Sequence, residues 1–260
     1  MDIKELQVSS GKNTKQNHPW EYARSKVVFR ILKKYLKTHA DGSVLDIGCG
    51  DVFFLCRFAD KHPNFELVAV DTAFDQEIIS NIAAKNSKYN ILFFNDIQNV
   101  KIKEAGIVFL LDVMEHIEDD ISFLKDVTSQ AYISPNTIFV ITVPAFNSLY
   151  CNHDQWLGHH RRYSHALLKQ HIEAAGLSCI EGGYFFTSLL FPRYIQKIIE
   201  KLKNAPSEQS QGIGNYQGGA VLSFLYEKFL LLDFYFFRFF RFFGIRMPGL
   251  SAYVICKKFN

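Results

Sequence analysis

Between residues 43 and 143 the chain carries five short, nearly all-apolar runs, and each stops at a glycine, an acid or a proline. The runs are 43–48 (SVLDIG), 67–70, 91–94, 107–111 and 136–143 (NTIFVITV). Asp71, the Asn95-Asp96 pair, Asp112 and Pro144 follow the last four. Stretches of helical character lie between several of them, at residues 53–61, 75–85 and from about Asp119. A strand apolar on both sides must be covered on both faces, and strands alternating with helices build parallel βαβ units. The pattern predicts an α/β, doubly wound, mostly parallel sheet. Ligands of such sheets bind outside the carboxyl ends of the strands, so the residues that end each run are the candidate site.

The flanks complete the sheet. Residues 20–39 repeat apolar side chains at helical spacing (Val27, Val28, Ile31, Leu32, Tyr35, Leu36). After Pro144 a polar loop rich in His and Arg runs to Tyr163, and Ser164 reads as the N-cap of a helix ending near Ala175. Extended segments are expected at 177–180 and 184–186, a helix at 188–203, a flexible linker at 204–219, and a last strand at 251–258 (SAYVICKK). Seven strands result. One domain is expected over 1–260: a helical extension (1–40), a core (41–187), a helical insertion (188–245) and the last strand (246–260).

A chain of 260 residues is enough for one such domain. A net charge of +3 is too small to steer a nucleic acid, so no nucleic-acid partner is expected. The polar opening lacks the apolar stretch of a secretory signal, and the five cysteines form no CxxC pair. A cytoplasmic setting with buried thiols is the default expectation.

At the first strand-to-helix turn, Gly48 and Gly50 let backbone approach a ligand, and the helix that follows presents free N–H groups. Asp71 is placed to accept from ribose hydroxyls, and Asp96 from a donor such as an adenine amino group. The nicotinamide fingerprint G-x-G-x-x-G fits less well, since Phe53 stands at its third glycine.

VLDIGCG, Asp71, Asn95-Asp96 and LLDVMEHIEDD together resemble the class I S-adenosylmethionine-dependent methyltransferases, a Rossmann-like fold. The closest likeness is to the small-molecule branch containing the ubiquinone-biosynthesis O-methyltransferases. HDQWLGHHRRYS is similar to a group of bacterial methyltransferases with the pattern HDxxLGHxRRYS. The resemblance implies S-adenosylmethionine as cofactor, with Asp46, Gly48, Cys49 and Gly50 at its methionine portion. It further implies Asp71 and Thr72 at the ribose, Asp96 and Ile97 at the adenine, and Asp112 near the sulfonium. One departure stands out: Val52 occupies the place where a further glycine is common, and its side chain is expected to narrow the loop.

Methyl transfer is an in-line displacement that needs alignment and sometimes a base. The candidate catalytic residues are His116, His153, Asp154 and His159, with Arg161, Arg162 and Tyr163 as candidate substrate contacts. Each has a plainer alternative: a structural histidine at 116, and a loop pinned by its own ion pairs at 153–163. Glu115, His153, Asp154 and His159 match no standard zinc spacing, so no metal is expected. The expected acceptor is a small or lipid-like molecule, methylated at oxygen by resemblance alone. A non-catalytic S-adenosylmethionine-binding module is the contrasting class. The Phe-rich segment 220–243 reads as a core helix, a lid, a dimer contact or a helix lying on a membrane.

Overall fold

The structure is a computed structural model that describes residues 18–36, 42–203 and 218–259. Seven strands form one sheet: β1 (Gly42–Ile47), β2 (Phe65–Val70), β3 (Ile91–Phe94), β4 (Ala105–Leu111), β5 (Ile138–Pro144), β6 (Leu177–Phe185) and β7 (Ser251–Lys258). Their order is β3-β2-β1-β4-β5-β7-β6. The first five are mutually parallel, and β7 runs antiparallel to both of its neighbours. Between β1 and β4 the winding reverses, which leaves their carboxyl ends side by side with no crossover above them. That crevice is where open α/β sheets bind ligands.

The helices are α1 (Pro19–Leu32), α2 (Phe53–Ala59), α3 (Gln76–Lys85), α4 (Asp120–Ser129), α5 (Asn152–Leu157), α6 (His165–Ala174), α7 (Leu190–Lys203) and α8 (Ala220–Phe240). Local chemistry starts several of them. Asp75, Asp119 and Ser164 each accept a hydrogen bond from the third residue onward, capping α3, α4 and α6. Proline opens α1, where a missing N–H costs nothing.

Two apolar clusters cover the sheet. On one face Val28, Phe54 and Phe58 from α1 and α2 meet Phe109 of β4. On the other, Leu124, Val127, Leu168 and Ile172 from α4 and α6 meet Val108 and Ile141. The five cysteines are free thiols; four are buried and Cys179 is half-buried.

Several expectations need correction. The first helix ends at Leu32, short of residue 39, which lies outside the described residues. The two extended pieces around Gly182 and Gly183 are one strand, β6, with a bulge between Cys179 and Glu181. The glycines are there for close approach: a Cβ on Gly182 would sit 2.0 Å from His165 Nε2. The loop after β5 contains a short helix, α5. Most of the linker expected at 204–219 lies outside the described residues. The Phe-rich segment is helical as read, but it is no core helix: only Leu230, Asp233 and Phe234 of α8 are buried.

Candidate active site

The glycine turn after β1 is built on left-handed backbone. Gly48, Gly50 and Val52 have φ of 71°, 56° and 57°. Gly48 donates to Val70 O (2.7 Å), tying the turn to the end of β2. It also lies against the turn that follows β4: a Cβ there would stand 2.6 Å from Val113 Cγ2. Val52 does not narrow the turn as expected. Its side chain is 0% exposed and belongs to the same core cluster as Leu55 and Phe54.

Around this turn stand the strand-end carboxylates. Asp71 receives Gly50 N on one oxygen and Ala73 N on the other, both at 3.0 Å. Thr72 beside it is exposed. Asp46 is buried at the end of β1, and loss of hydration raises its carboxyl to about 7 despite the nearby Arg24. Burial also pushes the Cys49 thiol well above its ordinary value. Asp96 is exposed and caps the turn Ile97–Asn99 through Gln98 N (2.9 Å). The Ile97 carbonyl accepts from Tyr132 Oη (2.8 Å).

Asp112 follows β4 directly, with φ 59°, a rare setting for a residue with a side chain. It is held from two sides: Thr142 Oγ1 of β5 donates to Oδ1 (3.0 Å), and Arg24 of α1 pairs with Oδ2. The Arg24 guanidinium stacks over the Trp20 ring at 4.7 Å. The first helix therefore closes one wall of the crevice.

The loop after β5 is organised by a buried carboxylate. Asp154 accepts from Cys151 N (2.9 Å), His159 Nδ1 (3.0 Å), Arg162 Nε (2.9 Å) and Nη2 (2.8 Å), and Arg193 Nη2 (3.1 Å). Burial opposes its charge, yet His159, Arg162 and Arg193 hold its carboxyl far below the ordinary range. His153 is buried with its ring stacked on Trp156, and desolvation lowers it to about 4. A second hub is the buried Asp120, which receives Tyr163 Oη, Arg161 Nη1 (3.1 Å) and His171 Nδ1 (2.8 Å). Arg162 and Tyr163 thus direct their polar groups inward, and Arg161 remains half-exposed.

His159 is also the bridge to β4. Its ring meets His116 edge to face, with centroids 4.6 Å apart, and His160 N donates to Glu115 O (2.7 Å). Glu115 is buried, and desolvation, with Asp112 nearby, raises its carboxyl well above the usual range. Glu115, His116 and His159 each offer one ligand atom, all within 4.8 Å of one another. The grouping expected from sequence included His153 and Asp154 instead. Asp154 fills its oxygens with the bonds above.

A family model described as a methyltransferase domain matches residues 20–182, more than half of the chain. The chain belongs to this family. Its fold class and its methyl donor, S-adenosylmethionine, follow from that membership. Among curated relatives, a tRNA U34 carboxymethyltransferase from Campylobacter jejuni subsp. doylei is 29% identical over 107 residues. That match covers 40% of this chain and only 36% of the relative. Solved structures share the fold: coclaurine N-methyltransferase bound to N-methylheliamine and SAH has a TM-score of 0.53 at 16% identity, covering 99% of this chain and 79% of that one. The [4+2]-cyclase SpnF has a TM-score of 0.57 at 14% identity, covering 99% and 93%.

In this methyltransferase the strand-end residues named from sequence do gather at one crevice: Asp46, Gly48, Gly50, Asp71 and Asp112. Arg24, Thr142 and Arg193 were not foreseen. Arg24 was legible only as a polar position on an amphipathic helix, and Arg193 as one of many charges beyond the loop it supports. The family match ends before α7 and α8, which stand outside it.

Proposed function

We propose that the chain transfers a methyl group to a hydroxyl of a small or lipid-like acceptor, in the crevice above β1, β4 and β5. The observation that carries this reading is the Asp154–His159 pair, held against His116, which follows Asp112 by four residues. Bound S-adenosylmethionine supplies an electrophilic methyl on a sulfonium.

The residues present fit that donor. Buried Asp46, whose charge is costly alone, suits a neighbouring ammonium group. Asp71 keeps lone pairs beyond its two backbone bonds for ribose hydroxyls, with Thr72 alongside. Gly48 and Gly50 offer an approach with no side chain of their own, the Cys49 thiol between them is buried, and Asp96 with Ile97 would flank the base. Asp112, fixed by Arg24 and Thr142, would stand on the sulfonium side of the donor.

On the acceptor side, Asp154 fixes the His159 ring through Nδ1, so Nε2 is the nitrogen that takes the acceptor's proton as its oxygen attacks. S-adenosylmethionine would supply the methyl for the acceptor oxygen there, and His159 would carry the proton away. His116 positions that ring from its edge. His153, lowered to about 4, is too weak a base for this task and supports α5 through Trp156. Arg161 is half-exposed, but its terminal nitrogens already bond Asp120 and the carbonyls of Ile117 and Glu118, so it borders the acceptor as part of the loop's own framework.

The test is transfer of tritiated methyl from S-adenosylmethionine into organic-soluble extract and, separately, into bulk tRNA. Label in the organic fraction, lost in His159→Ala with cofactor affinity retained, is the expected result. Label in tRNA alone would overturn the acceptor class. Binding of NADH instead of S-adenosylmethionine would overturn the whole reading.

A further inference from the structure

Helix α7 is mounted the wrong way round for a soluble domain. Its apolar residues Phe191, Tyr194, Ile195, Ile198, Ile199 and Leu202 recur at helical spacing, and all six face out. Phe191 is 70% exposed and Leu202 79%. The polar side is the one docked on the domain: Arg193 binds Asp154, Lys197 Nζ donates to Ser148 O (2.6 Å), and Glu200 accepts from Asn152 N (3.0 Å). These bonds fix the helix in this orientation, so its apolar stripe cannot turn inward without leaving Asp154 underpaired.

Helix α8 repeats the arrangement. It packs on α1 through Leu230 and Phe234, while Phe224, Leu232, Phe236 and Phe239 stay exposed. Apolar faces of this extent mark a contact with something outside the described residues.

The charges say what covers them. Every acid described on the two helices is engaged within the protein: Glu200 as above, Glu227 with Lys26, and Asp233 with Thr187 N and Ser188 N. Among the described residues the charges exposed on the two helices are Lys201 and Lys228, and Arg246, beyond the end of α8, is exposed as well. At the far end of α8 a cavity of about 760 Å³ is lined by Lys34, Lys169, Arg238, Arg241 and Arg246 against one carboxylate, Glu181. Phe242, 87% exposed, lies at its edge. A face whose described outward charges are all positive repels its own copy and attracts an anionic surface. Among the described residues no helix is long and apolar enough to cross a membrane, so contact would be made lying flat.

We propose that α7 and α8 form a docking surface for a bilayer containing anionic phospholipid, with the cavity beside Arg246 receiving headgroup phosphate. The proposal holds whatever the methyl acceptor is. It also sets the protein's orientation, since α7 is pinned to the loop that carries His159.

The test is co-sedimentation of the full chain with vesicles of phosphatidylcholine alone and of phosphatidylcholine mixed with phosphatidylglycerol, without cofactor or acceptor. Preferential binding to the mixed vesicles is expected. Ile195→Glu with Phe239→Glu should weaken it at least about tenfold, and Lys201→Glu with Arg246→Glu should abolish the preference. These positions are exposed, and an unchanged far-ultraviolet spectrum confirms that the variants fold. Absence of binding to mixed vesicles, or equal binding by the variants, overturns the proposal. So does a lipid-free dimer by light scattering that the same apolar variants dissociate, since a second copy would then cover the face. Full displacement by millimolar inorganic phosphate, with no effect of the apolar variants, would reduce the cavity to a free-phosphate site.

Discussion

Arg24, in the second turn of the first helix, forms an ion pair with Asp112, 88 residues away at the end of β4. The pair joins the wall of the crevice to its floor and leaves Asp112 Oδ1 to Thr142. Arg24→Ala should lower S-adenosylmethionine affinity about tenfold, the scale of one charge-assisted hydrogen bond. Arg24→Lys should recover only part of it, because lysine lacks the planar guanidinium that lies over Trp20. Calorimetric titration of the three proteins decides; equal affinities would separate the pair from the cofactor site.

Gly48 tests the crevice from the other side. Gly48→Ala places a Cβ 2.6 Å from Val113 Cγ2 on backbone at φ 71°. The left-handed geometry alone costs about 1–2 kcal/mol, and the clash adds to it. Reduced melting temperature and lost cofactor binding are expected, with Val113→Ala restoring part of the binding by removing the clash. Failure of that rescue would put the effect in the backbone alone.

Asp154 and His159 touch one another but should separate in their effects. Asp154→Ala leaves Arg162 and Arg193 buried without their partner, a loss of about 3–5 kcal/mol in stability. His159→Ala removes one hydrogen bond from a carboxylate that keeps the others, so the fold should survive while turnover falls about 10²–10⁴-fold. Denaturant unfolding and single-turnover rates on both variants make the comparison.

Asp46 predicts a pH dependence. Its carboxyl stands at about 7 in the folded chain against 3.8 as the ordinary value. Between those two values the folded state holds the proton more tightly than the unfolded state, so stability falls as pH rises from about 4 to 7. Above about 7 the loss is complete and constant. Its ceiling is on the order of 4 kcal/mol at 1.36 kcal/mol per unit. Asp46→Asn removes this component, so the stability difference between wild type and variant should shift across that window and flatten above it. Denaturation at pH 5, 6, 7 and 8 measures it. A flat difference would mean that Asp46 is hydrated in solution.

The sheet was readable from the sequence because its strands are apolar on both faces and stop at residues that cannot continue them. Ile91–Phe94 and Ser251–Lys258 match their expected bounds, and the other parallel strands differ by a few residues at their ends. The strand-end acids were readable for the same reason, since a parallel sheet puts carboxyl ends together whatever the helices do. Tertiary structure alone decided the partners that come from far along the chain. Nothing local marks Arg24 for Asp112 or Arg193 for Asp154, because an ion pair depends on distance in space. Val52 shows the same limit at short range: its type suggested an obstructed loop, while its backbone turns the side chain into the core. The clearest case is α7. Periodicity reveals that a helix has an apolar and a polar face, but the direction of burial depends on what stands opposite. Here a buried aspartate took the polar face, and the apolar one was left outward.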